Sequence, residues 1–298
     1  MYLDYYLKKI QIMKKKIFAL TAMLLSIGGV YAQPASVFLT AGQSNADGRV
    51  YNSKLPEYLK DGYEYLHYKK VTSSSDGMFE KRNFDNMKER WAFCDVTNYL
   101  IEKSLQANFY SIKCTEGGTS IDTAATVPTK PVWCADAEWL AVNKAYRGDI
   151  NKGKSLTKSL IEGFYDCVDV TLSKLQHGYD VKAIMWHQGE SDRKKADNYY
   201  QNFKDMICYM RNAIYEKTGD ENDKSLPFIF GTVSRKSRQY SSRVEQAQRK
   251  VASELENVYL IDLSDAPLGK DVLHFDSAGT ESLGKKMFEK LEELNLIK

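Results

Sequence analysis

The sequence contains five short apolar runs, each separated from the next by a longer stretch of mixed polar and apolar residues. The runs are nearly continuous in apolar character and rich in β-branched and aromatic residues, a pattern typical of strands buried on both faces of a parallel sheet. They cover residues 36–41, 108–114, 181–187, 227–233 and 258–263. We therefore predict five strands in this order.

Three of the intervening stretches carry apolar residues at steps of three and four, which places these side chains in one stripe along a helix. The apolar positions are Leu156, Leu160, Phe164, Cys167, Val168, Leu172 and Leu175, then Tyr199, Phe203, Ile207, Met210 and Ile214, and finally Leu283, Met287, Leu291 and Leu294. Strands that alternate with helices are joined by right-handed crossovers. The pattern predicts an α/β fold, a three-layer α/β/α sandwich around a five-stranded, mainly parallel sheet.

Two long polar segments, at about 47–90 and 120–153, interrupt this alternation just after strand ends. Insertions of this length are usually functional or disordered. Because ligand sites in such sheets lie at the carboxyl ends of the strands, both insertions are expected to overhang the site. Their aromatic side chains either stack on the rings of a ligand or pack the loops down. These residues are Tyr51, Tyr58, Tyr63, Tyr65, Tyr68, Trp133 and Trp139.

The N-terminus has the features of a secretory signal peptide. Lysines at 14–16 precede an apolar segment at 17–30, and Ala32 ends a small-residue cleavage motif. The apolar segment is shorter than the about 20 residues of a membrane span, which favours a cleaved signal peptide at 1–32 over an uncleaved anchor. We expect an exported protein, periplasmic or secreted, whose residues 33–298 form a single domain with no membrane segment.

Charge and cysteine content add little to this picture. The formal net charge is +3, so no large basic field indicates a nucleic-acid partner. Among the five cysteines, Cys94, Cys167 and Cys208 fall in helical apolar patterns and are expected to be buried. Export permits disulfides, and the sequence leaves open whether Cys114 and Cys134 form one. The chain lacks a Cys-x-x-Cys pair and His-rich spacing, so no metal site is expected.

The first strand runs into Gly42-Gln43-Ser44-Asn45, which presents a serine where a buried strand ends in a loop. Gly42 allows a tight departure from the sheet, and Asn45 can hold the turn with its side chain. Similar clusters occur in ordinary turns. A serine hydroxyl becomes a nucleophile only when a base takes its proton, and a third group commonly orients that base.

Asp271 and His274, after the fifth predicted strand, supply such a pair. Their separation of three residues within one turn brings the carboxylate to the imidazole. There it can fix the tautomer of the ring and stabilise the imidazolium. The order Ser44, Asp271, His274 therefore provides the three residue types of a serine hydrolase.

Two further segments at strand ends can supply hydrogen-bond donors. A pair of glycines ending at Gly118 lets backbone N–H groups face a ligand, as in half of an oxyanion hole. Gln188, after the third strand, can donate from its amide, whereas its neighbour His187 is interpreted as a packed residue. Glu190 is a further acid, and a buried carboxylate needs a partner. Arg49 is the candidate.

All four segments follow predicted strands and therefore lie at one edge of the sheet. Together they resemble the SGNH hydrolase superfamily and, more closely, its sialate O-acetylesterase-like branch, which includes carbohydrate esterase family 6. The motifs that carry the resemblance are Gly-Gln-Ser-Asn, Gly-Gly-Thr-Ser, Trp-x-Gln-Gly-Glu and Asp-x-x-His, found in this order over residues 42–274. The resemblance implies the flavodoxin-like sheet of the SGNH hydrolase fold.

The resemblance also implies a role for each motif residue. Ser44 is the nucleophile, His274 is the general base and then the acid, and Asp271 orients it. The oxyanion hole consists of the backbone N–H groups of Ser44 and Gly118 and the Gln188 side chain. The supporting or substrate-binding residues are Gln43, Asn45, Arg49 and Glu190.

The implied activity is removal of O-acetyl groups from a carbohydrate substrate, without a metal or cofactor. Acetylated xylan or another plant glycan competes with O-acetylated sialic acid as the substrate. Two alternatives remain open, a carboxylesterase of broader acyl specificity and a catalytically silent glycan-binding protein on the same fold. The oligomeric state is left open as well.

Overall fold

The computed structural model describes residues 33–73 and 76–297. The segment 1–32, for which a cleaved signal peptide is predicted, lies outside the described residues. Residues Ala35–Lys298 form one compact unit. The strands in the described part are β1 (Ala35–Gly42), β2 (Val50–Tyr51), β3 (Leu66–Lys70), β4 (Arg90–Trp91), β5 (Phe109–Thr115), β6 (Tyr179–His187), β7 (Phe228–Gly231) and β8 (Val258–Ile261).

Helices connect these strands, and several of them begin at favourable capping residues. Ser155, Ser241 and Asp276 each precede a helix and accept a hydrogen bond from a backbone N–H of its first turn. The helices are α1 (Ser44–Asp47), α2 (Phe93–Leu105), α3 (Ala137–Val142), α4 (Leu156–Val170), α5 (Ala196–Thr218), α6 (Ser242–Glu254) and α7 (Ser277–Glu293). Short 3₁₀ helices cover Asn52–Lys54, Glu57–Leu59, Leu172–Lys174, Glu190–Lys195 and Glu221–Ser225.

The central sheet contains six parallel strands in the order β3-β5-β1-β6-β7-β8. The five predicted strands are all present, and β3 is an additional edge strand inside the first predicted insertion. Residues Leu66 and Tyr68 of β3 are buried, whereas His67 and Lys69 are partly exposed. This half-solvated pattern is usual at a sheet edge, and it explains why β3 carries no continuous apolar run.

The layering follows from the alternation of side chains along β1. Val37 and Leu39 face a core that also contains the buried stripes of α4, α5 and α6. Phe38 points to the opposite face, where the core contains residues of α2 and α7. Successive residues of a strand point to opposite faces of a sheet. The sheet is therefore covered on both sides, and the predicted three-layer α/β/α sandwich is confirmed.

The cysteine predictions have mixed outcomes. Cys94 and Cys167 are buried, as predicted, but Cys208 is exposed. Its neighbour Ile207 occupies the buried stripe of α5, which turns Cys208 outward. Cys114 and Cys134 are both free thiols, and the described residues form no disulfide.

In the described parts of both insertions, most of the aromatic residues singled out above are buried or half-buried. The first insertion has a small core of its own around Leu59, Phe84 and Trp91. In the second, Trp133 is fully buried and packs edge-on against Trp186, with ring centroids 4.9 Å apart. Of the tyrosines, Tyr51 stands apart with 47% of its surface exposed. Among the described residues, no helix is long and apolar enough to cross a bilayer.

Candidate active site

Gly42 makes the turn that delivers the serine. Strand β1 ends at Gly42, and α1 begins two residues later at Ser44. The φ angle of Gly42 is +136°, and a Cβ atom there would lie 2.2 Å from the backbone oxygen of His187. The same oxygen accepts a hydrogen bond from the N–H of Gln43 at 3.0 Å. Only glycine fits this close approach, which confirms the predicted tight departure from the sheet.

Ser44 lines a cleft of about 650 Å³ at the carboxyl ends of the strands. The serine is 5% exposed and forms the first residue of α1. His274, Gly117, Gly118 and Gln43 line the same cleft. The structure thus brings the serine and the histidine, which are 230 residues apart in sequence, to one surface.

Asp271 holds His274 from two sides. The Oδ2 atom of Asp271 lies 2.6 Å from Nδ1 of His274, and Oδ1 accepts the backbone N–H groups of Leu273 and His274, each at 3.0 Å. Burial raises the pKa of Asp271, but these hydrogen bonds outweigh it and hold the pKa below its ordinary value. An ionised carboxylate that accepts from Nδ1 leaves Nε2 as the basic nitrogen.

The backbone of this turn is unusual at Val272. Its φ angle is +52°, a value that a β-branched residue rarely adopts. The N–H of Val272 donates to the oxygen of Gly269 at 2.9 Å, and its own oxygen accepts from the N–H of Arg238 at 3.0 Å. These contacts hold the turn in its strained form. Such local strain is often found where a site needs one fixed geometry.

The two glycines after β5 lie beside the serine. A Cβ atom on Gly117 would come within 3.7 Å of Cβ of Ser44 and within 2.0 Å of the Arg49 guanidinium. Gly118 has a φ angle of +73° and also lines the cleft. The absence of side chains at these two positions leaves the backbone accessible next to Ser44. Gly118 therefore lines the cleft that contains Ser44, and its role in an oxyanion hole stays a prediction.

Gln188 occupies a different position from the one predicted. It is fully buried, it is not among the residues that line the cleft, and its amide donates to the oxygen of Thr119 and to the carboxylate of Asp192. Both amide hydrogens are thus used inside the protein. Burial raises the pKa of Asp192 to about 6, although Asp192 also accepts backbone N–H groups of the loop after β5. Because the Gln188 amide donates to the Asp192 carboxylate, four residues away, it does not form part of the predicted oxyanion hole.

Gln43 is the glutamine that lines the cleft. Its Oε1 atom faces the backbone N–H groups of Gly189 and Ser191, at 3.5 and 3.3 Å. This leaves the N–H groups of its side chain available to a ligand in the cleft. Gln43 therefore offers the side-chain amide that the sequence assigned to Gln188.

The partner of Glu190 is Asn45, and the prediction of Arg49 in this role is wrong. The amide nitrogen of Asn45 donates to Oε1 of Glu190 at 2.7 Å. Arg49 instead donates to Asp47 at 2.9 Å and to the oxygen of Gly48 at 3.1 Å. Asp47 lies two residues away along the chain, which makes it the nearer carboxylate for Arg49.

His187 is a packed residue, as predicted. It is fully buried, and its ring packs edge-on against Phe275 with centroids 5.1 Å apart. Its Nε2 atom lies 3.2 Å from the oxygen of Thr232. Burial lowers the pKa of His187, because the charged imidazolium is disfavoured away from water.

The charge of the cleft was not visible in the sequence motifs. Four cationic side chains line it, and one acidic side chain, Glu116, accompanies them. None of the described tyrosines or tryptophans lines this cleft, which favours the alternative that these aromatic residues pack the loops down. The cations are Arg49, Lys130, Arg193 and Lys194. Within the described residues, no group of three or more His, Cys, Asp or Glu side chains is placed to hold a metal ion.

Comparison with known proteins shows a family match over most of the chain. A model of the family "Carbohydrate esterase, sialic acid-specific acetylesterase" matches residues 34–293. A curated relative, the "Probable carbohydrate esterase At4g34215" of Arabidopsis thaliana, is 32% identical over 110 residues, or 36% of this chain. The match spans only 38% of that relative's length.

Three solved structures are similar in fold. The Arabidopsis thaliana protein AT4G34215 has a TM-score of 0.62 and 20% identity, with 87% of this chain and 98% of that chain covered. The carbohydrate acetylesterase XAC1771 from Xanthomonas citri has a TM-score of 0.59 and 19% identity, with 86% and 56% covered. NanS has a TM-score of 0.57 and 13% identity, with 88% and 98% covered. At these identities the similarity shows the fold alone.

Proposed function

The chain belongs to the sialic acid-specific acetylesterase family of carbohydrate esterases, and we propose that it removes O-acetyl groups from carbohydrate through an acyl-enzyme on Ser44. One observation carries the proposal. Ser44 and His274 line the same cleft, and Asp271 holds Nδ1 of His274 at 2.6 Å. A serine, a base and an orienting carboxylate in one cleft are the components of acyl transfer.

In the first step, Oγ of Ser44 attacks the carbonyl carbon of the ester while Nε2 of His274 takes the hydroxyl proton. The carbonyl oxygen becomes an oxyanion, which backbone N–H groups of Ser44 and Gly118 stabilise, together with the Gln43 side chain. The carbon–oxygen bond to the sugar then breaks. His274 returns its proton to the sugar oxygen, so that the free hydroxyl leaves and the acetyl group stays on Ser44.

In the second step, water releases the acetyl group. His274 takes a proton from the water molecule, whose oxygen attacks the acetyl carbonyl. The new tetrahedral intermediate breaks at the bond to Oγ of Ser44, which regains its proton from His274. Acetic acid leaves and loses its proton to solvent as acetate, and the enzyme returns to its initial state. The ester substrate and one water molecule, together with Ser44 and His274, account for every atom in these two steps.

The lining of the cleft favours a small acyl group. Besides its cations, the cleft is lined by four apolar side chains, those of Ala124, Ala125, Val127 and Leu273. A long alkyl chain would have little apolar surface to bury here, and each buried methylene is worth about 0.8 kcal/mol. We therefore expect the enzyme to prefer acetyl esters over butyryl and longer esters of the same alcohol.

Acetate release from a panel of substrates tests the proposal. The panel contains acetylated xylan, O-acetylated sialic acid, simple sugar acetates and aryl esters of increasing chain length. Release of acetate from at least one sugar ester, together with a preference for acetyl among the aryl esters, is the expected result. Preference for long acyl chains would favour a broader carboxylesterase, and binding without turnover would favour a silent glycan-binding protein.

The proposal includes export, which rests on the sequence of the first 32 residues. Expression in the native host and N-terminal sequencing of the mature protein test it. A mature chain that begins at Gln33 in the periplasm or medium is expected. A full-length chain retained in the cytoplasm would contradict export and leave the proposed chemistry unaffected.

A further inference from the structure

A second cleft, of about 470 Å³, lies next to the active-site cleft, and Arg49 lines both. We call it the basic cleft and define it by Arg49, Tyr51, Lys70, Arg82, Lys88 and Arg90. It lies on the β3 side of Ser44, where Asp47 and Gly48 of the serine turn also line its wall. The two clefts therefore adjoin at the same edge of the sheet.

The lining of the basic cleft is predominantly cationic. Six of its lining side chains are lysine or arginine, and three are acidic. Inside the cleft, Asp47 accepts from both Arg49 and Lys70 at 2.9 Å, and Arg82 pairs with Asp95 at 3.0 Å. The whole chain has a formal charge of only +3. The positive charge of this cleft is thus a local feature and not part of a general basic surface.

Two cations at the rim, Lys88 and Arg90, are exposed and form no ion pair with another described residue. Arg90 lies over the ring of Tyr51, with its guanidinium carbon 5.0 Å from the ring centroid, and donates to the tyrosine hydroxyl at 3.4 Å. Tyr51 and Arg90 are direct cross-strand partners in the β2–β4 pair. The small sheet therefore presents an aromatic ring and an ordered cation together.

The chain itself fixes the distance between this rim and the nucleophile. Tyr51 follows Ser44 by seven residues, which span at most about 25 Å when fully extended. Between them, α1 and the contact of Gly48 with the backbone of Trp91 hold the connection in place. A ligand unit bound at Tyr51 and Arg90 can thus belong to the same chain as a unit bound at Ser44.

We propose that the basic cleft binds an anionic sugar unit of the glycan whose acetyl group is removed at Ser44. This inference rests on the proposed function and specifies its substrate as an acidic oligosaccharide or polysaccharide. The exposed face of Tyr51 packs on the sugar ring, while Lys88 and Arg90 bind its carboxylate or sulfate group. Arg49 lies between the two units.

Kinetics with three acetylated trisaccharides test the proposal: a neutral one, one that carries uronic acid, and one that carries sulfate. The double variant Lys88→Glu with Arg90→Glu is compared with wild type. The control variant is Lys174→Glu with Lys224→Glu, two exposed lysines beside the amino ends of β6 and β7. p-Nitrophenyl acetate reports the basal activity, which needs neither rim residue.

Wild type is expected to have a kcat/KM for an anionic trisaccharide at least about tenfold above that for the neutral one, with most of this advantage in KM. The double variant should lose that advantage and keep its activity on p-nitrophenyl acetate, whereas the control variant should keep both. The anionic trisaccharide with the higher kcat/KM identifies whether the basic cleft binds a carboxylate or a sulfate group. Equal kcat/KM for neutral and anionic trisaccharides in wild type would overturn the inference.

A direct binding measurement separates this inference from the proposed function. Calorimetric titration with non-acetylated trigalacturonate and with a sulfated trisaccharide requires no turnover. Saturable binding of either by wild type, weakened at least about tenfold in the double variant, supports the basic cleft even if no acetyl group is released. Absence of binding to both, in a protein that hydrolyses p-nitrophenyl acetate, would refute the basic cleft and leave the esterase assignment standing.

Discussion

Asn45 accepts a hydrogen bond from the backbone N–H of Phe275 at 3.0 Å. The residue after Ser44 is thus tied to the residue after His274. The other end of the same amide donates to Oε1 of Glu190, which is 1% exposed. One side chain therefore joins the serine turn, the histidine loop and the segment after β6. We assign Asn45 a positioning role, since it holds the two reacting side chains in one geometry.

Replacement of Asn45 by alanine should lower kcat by about 10- to 100-fold with little change in KM, because small misplacements of reacting groups have effects of this size. It should also destabilise the fold by about 3 kcal/mol, since the Glu190 carboxylate loses its donor while buried. Steady-state kinetics and urea unfolding measure both effects. Asn52→Ala is the matched control, because Asn52 is buried and donates to Phe84 and Asn86 away from the cleft. Equal kcat losses in the two variants would argue against positioning.

Gly42 makes the serine turn, and Gly178, just before β6, is its matched control. Both have positive φ angles, but a Cβ atom on Gly42 would lie 2.2 Å from a backbone oxygen, whereas one on Gly178 would meet nothing within 4 Å. Gly178→Ala should therefore cost about 1–2 kcal/mol from the backbone conformation alone. Gly42→Ala should cost more than about 3 kcal/mol and abolish activity. Thermal unfolding and esterase assays compare the two, and similar behaviour of both variants would be inconsistent with the structure.

Asp271 is expected to act through His274. The variant Asp271→Asn keeps the shape of the side chain but removes the charge that stabilises the imidazolium. The value of kcat should fall by about 10²- to 10⁴-fold while KM changes little. A loss of less than about twofold would remove Asp271 from the mechanism.

Asp192 should make stability depend on pH in an unusual direction. Its pKa is raised from 3.8 to about 6 by burial, so the folded state binds its proton more tightly than the unfolded chain does. Its contribution to stability is complete below about pH 4 and is lost as the pH rises through about 6. The free energy of unfolding of wild type, relative to Asp192→Asn, should fall by about 2 kcal/mol between pH 4 and pH 7. Urea unfolding at several pH values measures this, and a constant or rising difference would contradict the raised pKa.

The part of the fold that could be predicted from sequence is the part that burial determines. Strands such as β1 and β6 are apolar on both faces, so their sequences carry the signal directly. Strand β3 escaped prediction because only its alternate residues are buried. Cys208 was predicted to be buried because it lies within the apolar pattern of α5. A shift of one position along a helix turns a side chain away from the buried stripe, and Cys208 is therefore exposed.

For the site, sequence reasoning located the motifs but could not resolve competition between partners. The Gln188 amide is taken by Asp192, and Arg49 is taken by Asp47. Both outcomes depend on which carboxylate lies nearest in three dimensions, which no motif records. The cations of the cleft come from separate segments, and only the fold assembles them. One signal was available, however, because Asp192 stands four residues after Gln188 at the start of a helical turn.

The proposed mechanism requires that Ser44 becomes covalently modified during turnover. Incubation with a fluorophosphonate, followed by proteolysis and mass spectrometry, tests this requirement. Ser191 is the internal control, since it lines the same cleft without an assigned role. A single adduct on the peptide that contains Ser44, absent from the Ser44→Ala variant and formed together with loss of esterase activity, is the expected result. An adduct on Ser191, or loss of activity with Ser44 unmodified, would contradict the assignment of the nucleophile.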